Sequence, residues 1–306
     1  MATAITAPYF HDDDKAREYL EAVRWPDGPV CPHCKTEGGW TIESKPDTKN
    51  KARPGLYKCV SAECGKQFSV TVGTVFERSK IPLSKWLFAA YLLCSSKKGI
   101  SSHQLHRTLG VTYKTAWFLT HRIRHAMDSN GGLIGQNGGI IEADETYIGR
   151  KPGVKKGRGG FGHKNTVLSL VQRDGEVRST VVTNFSQVKR AFKKHASPDA
   201  HLMTDEHKKF RKIGKQFVSH EVVNHSKYEY VRGNVSTNTI EGVFSIFKRG
   251  MTGIYQHCGS QHLHRYLAEF DFRYNHRSAL GIEDNQRVVD ALKGIEGKRL
   301  TYRTVG

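Results

Sequence analysis

Two groups of side chains in this sequence carry chemistry that local structure does not require. The first is four cysteines. Cys31-Pro-His-Cys34 and Cys59–Cys64 form two knuckle-like pairs separated by 24 residues. Zinc prefers four soft ligands in a tetrahedron, and two hairpin turns that give two thiolates each supply them. Trp40, Tyr57 and Phe68 are placed to pack around such hairpins, and a module this poor in aliphatic residues needs a metal staple. Free thiols, or His33 in place of one cysteine, are the alternatives. Of the other two cysteines, Cys94 lies in an apolar stretch and reads as core. Cys258, near His257, His262 and His264, reads as helix surface rather than a second metal site.

The second group is acidic. Asp144 stands in the stretch IIEADETYIG, which alternates like a strand, with Glu142, Asp144 and Thr146 on one face and Ile141, Ala143 and Glu145 on the other. Asp205 follows the apolar HLMT, and Glu241 opens the helical stretch TNTIEGVFSIFKRG. Each has an ordinary alternative. Asp144 could pair with a lysine on a solvated face. Asp205 could cap the helix that follows it, and Asn238 with Glu241 could form a capping box. Taken together they suggest metal chemistry. Clustered carboxylates repel unless cations neutralise them, and two magnesium ions roughly 4 Å apart would do so while clamping both oxygens of a phosphoryl transfer. Lys248, two turns after Glu241 on the same helical face with Ser245 between, is placed to touch a phosphate there.

The elements that must position these residues can be read from periodicity. Residues 12–24 form a short helix ended by Trp25-Pro26-Asp27-Gly28, and 29–72 are short and turn-rich. Residues 81–96 are an apolar helix, with Pro82 suited to its first turn. Two helices follow, Ser102–Thr108 and Thr112–Met127, joined at Gly110. Leu105, Leu109, Val111, Ala116 and Leu119 have the spacing of a helix-turn-helix core, and Lys114, His121, Arg122, Arg124 and His125 are suited to phosphate contact. A glycine-rich linker (Gly131, Gly132, Gly135, Gly138, Gly139) then gives way to strand, two strands, helix, strand, helix, strand, helix. That order lets three distant carboxylates meet at one end of a mixed sheet in an α/β domain.

Composition bounds the partners. The chain has 306 residues, of which 37% are apolar, with 30 glycines besides. It therefore has the means to build a core, and two or three domains are expected. No run of 18 apolar residues exists, and the amino-terminal stretch has no signal-like pattern, so the cytoplasm is expected. The net charge of +19 points to a polyanionic partner, and its distribution sharpens this. Residues 1–80 carry +1, residues 81–135 carry +6 and residues 136–255 carry +10. Arg150, Lys151, Lys155, Lys156, Arg158 and Lys164 form a glycine-rich basic loop, and Lys208, Lys209, Arg211, Lys212 and Lys215 a second basic run.

These motifs resemble a family. CPHC, YKCVSAECGKQFSVTVGTVFERSKIPLSKW, IEADETYIGRK, HLMTDEHKKF, NHSKYEYVRGNVSTNTIEGVFSIFKRGMTGIYQH and LAEFDFRYNHR are similar to bacterial insertion-sequence DDE transposases with an N-terminal zinc ribbon, the fifteen-ninety-five family. The likeness runs from about residue 20 to 290. It implies an RNase H-like catalytic domain, a mixed five-stranded sheet with helices, at 136–280. Before it come an N-terminal helix (1–28), a zinc ribbon (29–80) and a helix-turn-helix region (81–135), and after it a tail (281–306). It implies structural zinc on Cys31, Cys34, Cys59 and Cys64, and two magnesium or manganese ions at the catalytic aspartates Asp144 and Asp205. The third position is glutamate with a lysine seven residues on in some branches, and asparagine in others. Glu241 and Lys248 have that separation, so Glu241 is taken as third, with Asn238 as the fallback. The implied partners are double-stranded DNA, at element ends and target, and further copies of the chain on that DNA, in a bacterial cell near the nucleoid. The expected function is cleavage and strand transfer at inverted repeats. The rivals are a non-catalytic zinc-ribbon regulator and a nuclease or resolvase that cuts without joining.

Overall fold

The computed structural model describes residues 4–43, 53–128, 131–157 and 162–301. The chain divides into two compact units, residues 1–127 with 283–306, and residues 128–282.

In the first unit, helix α1 (Asp13–Arg24) starts where Asp12 accepts the Lys15 N–H at 2.9 Å, an aspartate cap. It buries Ala16 and Leu20. Strands β1 (Gly39–Thr41), β2 (Tyr57–Cys59) and β3 (Gln67–Phe68) form a small antiparallel sheet. Its ring cluster joins Phe68 to Tyr57 and Trp25, with ring centroids 5.7–5.8 Å apart. Helix α2 (Leu83–Ser95) buries Trp86, Leu87, Leu93 and Cys94, so Cys94 is core; Pro82 stands just outside it as the cap residue.

Helices α3 (Ser102–Leu109) and α4 (Tyr113–Met127) are joined at Gly110, whose φ of +60° is the left-handed conformation a helix end favours. Leu105, Leu109, Ala116 and Leu119 are buried as the helix-turn-helix spacing required. Residues 281–306, expected as a tail, hold a further helix, Asp284–Lys293. It packs on α2, buries Val288, Ala291 and Leu292, and sends Arg287 to the Cys94 carbonyl at 3.1 Å. This stretch belongs to the first unit's core although 155 residues of the second unit intervene. Local periodicity shows an amphipathic helix but not what it packs against.

The second unit is built on a five-stranded sheet. Its strands are β4 (Ile140–Ile148), β5 (Asn165–Gln172), β6 (Val177–Val182), β7 (His201–Thr204) and β8 (Ser219–Val222), in spatial order β6-β5-β4-β7-β8. The first three are antiparallel to one another, and β7 and β8 run parallel to β4. Alternation along β4 splits the core. Ile141 and Ala143, with Leu168 and Leu170, face α5 (Phe185–His195) and α6 (Lys208–Gly214) through Val188, Phe192, Phe210 and Ile213. The opposite face carries Val167, Val171 and Val177. It is covered by α7 (Asn238–Gly250) and α8 (Leu263–Asn275) through Ile240, Phe244, Phe247 and Leu267. Asp144 is on that second face. A short hairpin, β9 (Val231–Arg232) and β10 (Val235–Ser236), stands between β8 and α7. Among the described residues no helix is long and apolar enough to cross a membrane.

Candidate active site and metal centre

The four cysteines converge. Their sulfurs all lie within 4.8 Å of one another, with Cys31–Cys64 at 3.8 Å and Cys34–Cys59 at 3.5 Å. A tetrahedron of thiolates about 2.3 Å from zinc has edges of about 3.8 Å, so the donor set and spacing fit that ion. The left-handed Lys35 and Gly65, each one residue past a knuckle, turn the chain back on itself. Among the described residues no other group of three or more histidines, cysteines or acids is drawn together this closely; Cys258 contributes instead to the apolar contacts around Phe247.

The acidic residues are brought together by the sheet. In the parallel pairing of β4 with β7, Ala143 lies opposite Thr204, so the next residues on each strand, Asp144 and Asp205, are neighbours. Burial pushes the Asp144 carboxyl up to about 7, and the charge of Asp205 adds to this. The Glu145 N–H, 2.6 Å from Asp144 Oδ1, and the Lys209 ammonium oppose it. Two carboxyl groups side by side are oxygen donors that suit a hard divalent cation. Across from the strand, Glu241, Ser245 and Lys248 of α7 line an open cleft of about 470 Å³ together with Asp144, Glu145, Thr146, Phe244, His225 and Tyr230. Glu241 accepts from the Thr237 hydroxyl at 3.2 Å, with His225 Nε2 3.8 Å away. Asp205 touches this arrangement through Asp144 and does not itself line the cleft.

The ordinary alternatives for these acids are not what the structure builds. The cap of α6 is His207, not Asp205, which accepts the His207 N–H at 3.1 Å. Asn238 is the exposed first residue of α7 rather than its cap, and no capping box forms between it and Glu241. Instead the third N–H of the helix, that of Ile240, donates to Glu142 Oε2 at 3.0 Å. Glu142 is fully buried. It also accepts from Thr239 Oγ1 at 3.0 Å and from Arg173 Nε at 2.7 Å. Arg173 continues to the Asn234 and Ser236 carbonyls and side chains at 2.7–3.1 Å. The helix that carries Glu241 is thus capped by a carboxylate two residues before Asp144. Sequence reasoning placed Glu142 on the Asp144 face without giving it a task, and no local signal marks it. Lys209, read as part of a basic run for the polyanion, ion-pairs with Glu145 beside the aspartates.

The basic residues divide. Lys114 is exposed on α4. Arg122 and Arg124, expected at phosphates, are buried and not surface groups. Arg124 is 1% exposed and donates to Thr120 Oγ1 at 3.1 Å. Arg122 donates to the Glu77 carbonyl at 3.0 Å and lies over the Trp86 and Phe118 rings. Their aliphatic stems and planar heads pack as core. In the second unit, Arg150, Lys151 and Lys155 line another cleft of about 470 Å³ with residues 257–261. Lys156 is exposed, and Arg158 lies outside the described residues.

A cleft holding Asp144 and Glu241 on an RNase H-like sheet, in a chain that also carries a four-cysteine ribbon, is the arrangement found in a class of enzymes that transfer phosphoryl groups on nucleic acid. Residues 136–275 match the ISXO2-like transposase domain, and residues 11–67 match the transposase zinc-ribbon domain. The chain belongs to the IS1595 family of DDE transposases, and DNA is the substrate of such domains. It is 25% identical over 288 residues to an uncharacterized protein in transposable element ISH50 of Halobacterium salinarum, covering 86% of this chain and 91% of that one. That relative is archaeal, so the expected bacterial source is not a property of the likeness.

Proposed function

We propose that the chain cuts DNA at the ends of its own element and joins the exposed 3′-hydroxyls to target DNA. The observation that carries this reading is the shared cleft of Asp144, Glu241 and Lys248 with Asp205 beside Asp144. Asp144, Asp205 and Glu241 would hold divalent cations, magnesium or manganese, which when bound polarise the phosphoryl oxygens and ready water or a 3′-hydroxyl for attack. Lys248, on the same face of α7 as Glu241, would hold a phosphate oxygen next to the acids. Asn238 has no role in this scheme beyond the exposed helix start.

The two clefts of the second unit support a path for the strand. Strand β4 runs from Asp144 in the acidic cleft toward Arg150, which lines the second cleft with Lys151, Lys155 and residues 257–261. Cations there would hold the backbone leading to the cut without reading its sequence. End recognition would fall to the first unit, through Lys114 and the α3–α4 pair. Joining two ends requires at least two copies on DNA.

The test is one incubation of the full chain with magnesium, DNA carrying element ends and a target plasmid. Joined products are expected, and Asp144→Asn or Asp205→Asn should abolish them while leaving end binding intact. Cut but unjoined ends would instead indicate a nuclease or resolvase. Binding with neither cut nor joined products would indicate a regulator. Full activity in either asparagine variant would refute the site.

A further inference from the structure

The acidic cleft has an aromatic wall that phosphate chemistry does not use. We propose that Tyr230, with the His225 ring beside it, is a stacking platform for an unpaired base of the DNA end next to the phosphate being cut. This rests on the transposase reading and adds a ligand to the same site.

Tyr230 and His225 line the same cleft as Ser245 and Lys248, and their ring centroids are 5.1 Å apart at an angle of 47°. Tyr230 is 53% exposed, and Tyr228 is 84% exposed. Large rings left in water cost apolar exposure with no return to the fold. Tyr228 also has a φ of +60°, a conformation that bulky residues rarely hold. Such backbone strain is kept where the surroundings enforce it, and here they do.

Both ends of the segment are pinned. Glu206 accepts the N–H groups of His225 and Ser226 at 3.1 and 3.2 Å and the Ser226 hydroxyl at 2.6 Å. At the other end Arg173 holds Asn234 and Ser236, and Val235 is buried against Met203 and Val223. Arg232 ties the middle to Glu229 at 3.3 Å and to the Val222 carbonyl at 3.2 Å. The rings are therefore presented by a braced frame, as a preorganised surface requires.

The chemistry of the two walls selects a nucleotide. Lys248 suits its phosphate, and the Tyr230–His225 wall suits a flat π-face. A base within a duplex has both faces covered by its neighbours. Only one that has left the stack can offer a face to Tyr230, so the ligand is a nucleotide unpaired at the cut. Stacking on an aromatic side chain is worth a factor of about 5 to 150 in equilibrium.

The experiment uses permanganate, which oxidises unstacked thymines, on element-end duplexes bound by the full chain. On the uncut complex of the Asp144→Asn chain, thymines flanking the cleavage position should become reactive. Adding Tyr230→Ala should protect them again. In the otherwise unaltered chain, Tyr230→Ala should slow end cleavage about ten-fold or more with end affinity changed less than three-fold. Ends made with a mismatch at the cut should recover most of that loss, which a general loss of folding would not allow. Tyr230→Phe and Tyr230→Trp should cut nearly as the parent does. Unreactive thymines in the bound complex, parental cleavage by Tyr230→Ala, or a Tyr230→Phe chain as slow as the alanine variant would each overturn the platform. A parent chain that neither binds nor cuts ends would remove the transposase reading itself, and this inference with it.

Discussion

Glu142 offers the most direct test of how the second unit holds its site. Its carboxylate is fully buried and takes three hydrogen bonds: from Arg173, from the Thr239 hydroxyl and from the Ile240 N–H. Replacing it by alanine removes the tertiary cap of α7 and strips Arg173 of its counter-ion. Breaking a buried ion pair from one side costs about 3–5 kcal/mol. Arg173 is 19% exposed at its side chain and keeps the Asn234 and Ser236 acceptors, so the low end, about 3 kcal/mol, is expected. Glu142→Gln keeps the shape but sets an amide NH₂ against a donor, and should cost about 2 kcal/mol.

The assay is urea unfolding of the full chain, following the transition of the 128–282 unit, for Glu142→Ala, Arg173→Ala and both together. Because the two side chains touch, their costs should fall short of additivity by about 2 kcal/mol. Cleavage should fall in Glu142→Gln even where the protein is fully folded, because Glu241 rides on the helix start that Glu142 fixes. Additive costs within about 0.5 kcal/mol, or a Glu142→Ala variant destabilised by less than about 1 kcal/mol, would refute the idea that this carboxylate caps α7.

Asp271, partly buried in α8 and bonded to the Ser179 N–H at 2.6 Å, has its carboxyl raised to about 7, chiefly by desolvation. The folded chain then holds a proton that the unfolded chain has released. The stability from this group is therefore complete below about pH 4 and is lost as pH rises through about 7, a span of about 4 kcal/mol. Asp271→Asn should flatten the fall in melting temperature between about pH 4 and 7, and an unchanged slope would count against it. Chelation should release one zinc per chain, measured by a colorimetric metal assay, and unfold the ribbon, as should Cys59→Ser; a ribbon that keeps its near-ultraviolet signal without metal would contradict this. Lys114→Ala should weaken end binding and lower the salt slope by about one, whereas Arg124→Ala should lower melting temperature and leave the slope of the folded fraction unchanged. The reverse pattern would restore Arg124 as a phosphate contact.

What could be read from the sequence was what local rules govern. The four cysteines and their two turns lie at ligand spacing whatever surrounds them, and the sulfurs meet. Period-two alternation in IIEADETYIG put Asp144 and Ile141 on opposite faces, and the sheet keeps them there. The Gly110 break between α3 and α4 was equally local, since φ of +60° is a property of one residue. The strand and helix order set Asp144 beside Asp205 through the β4–β7 pairing, and Asp144 with Glu241 in one cleft.

Other features depended on partners far away in the chain. Arg122 and Arg124 look like phosphate ligands on a helix drawn alone, because periodicity gives a face but not its direction; Glu77, Trp86 and Phe118 turn that face inward. The helix Asp284–Lys293 joins the first unit's core only through chain closure over the whole second unit. The cap of α7 comes from Glu142, 98 residues from the N–H that it takes, while the nearer Asn238 stands exposed. The value of Asp144 depends on burial and on Asp205, and neither exists until β4 and β7 pair. Residue type and spacing determined which groups this chain has for chemistry. Tertiary structure decided which are dry, which are charged and which line the cleft, because desolvation and Coulomb energy depend on distances that only folding sets.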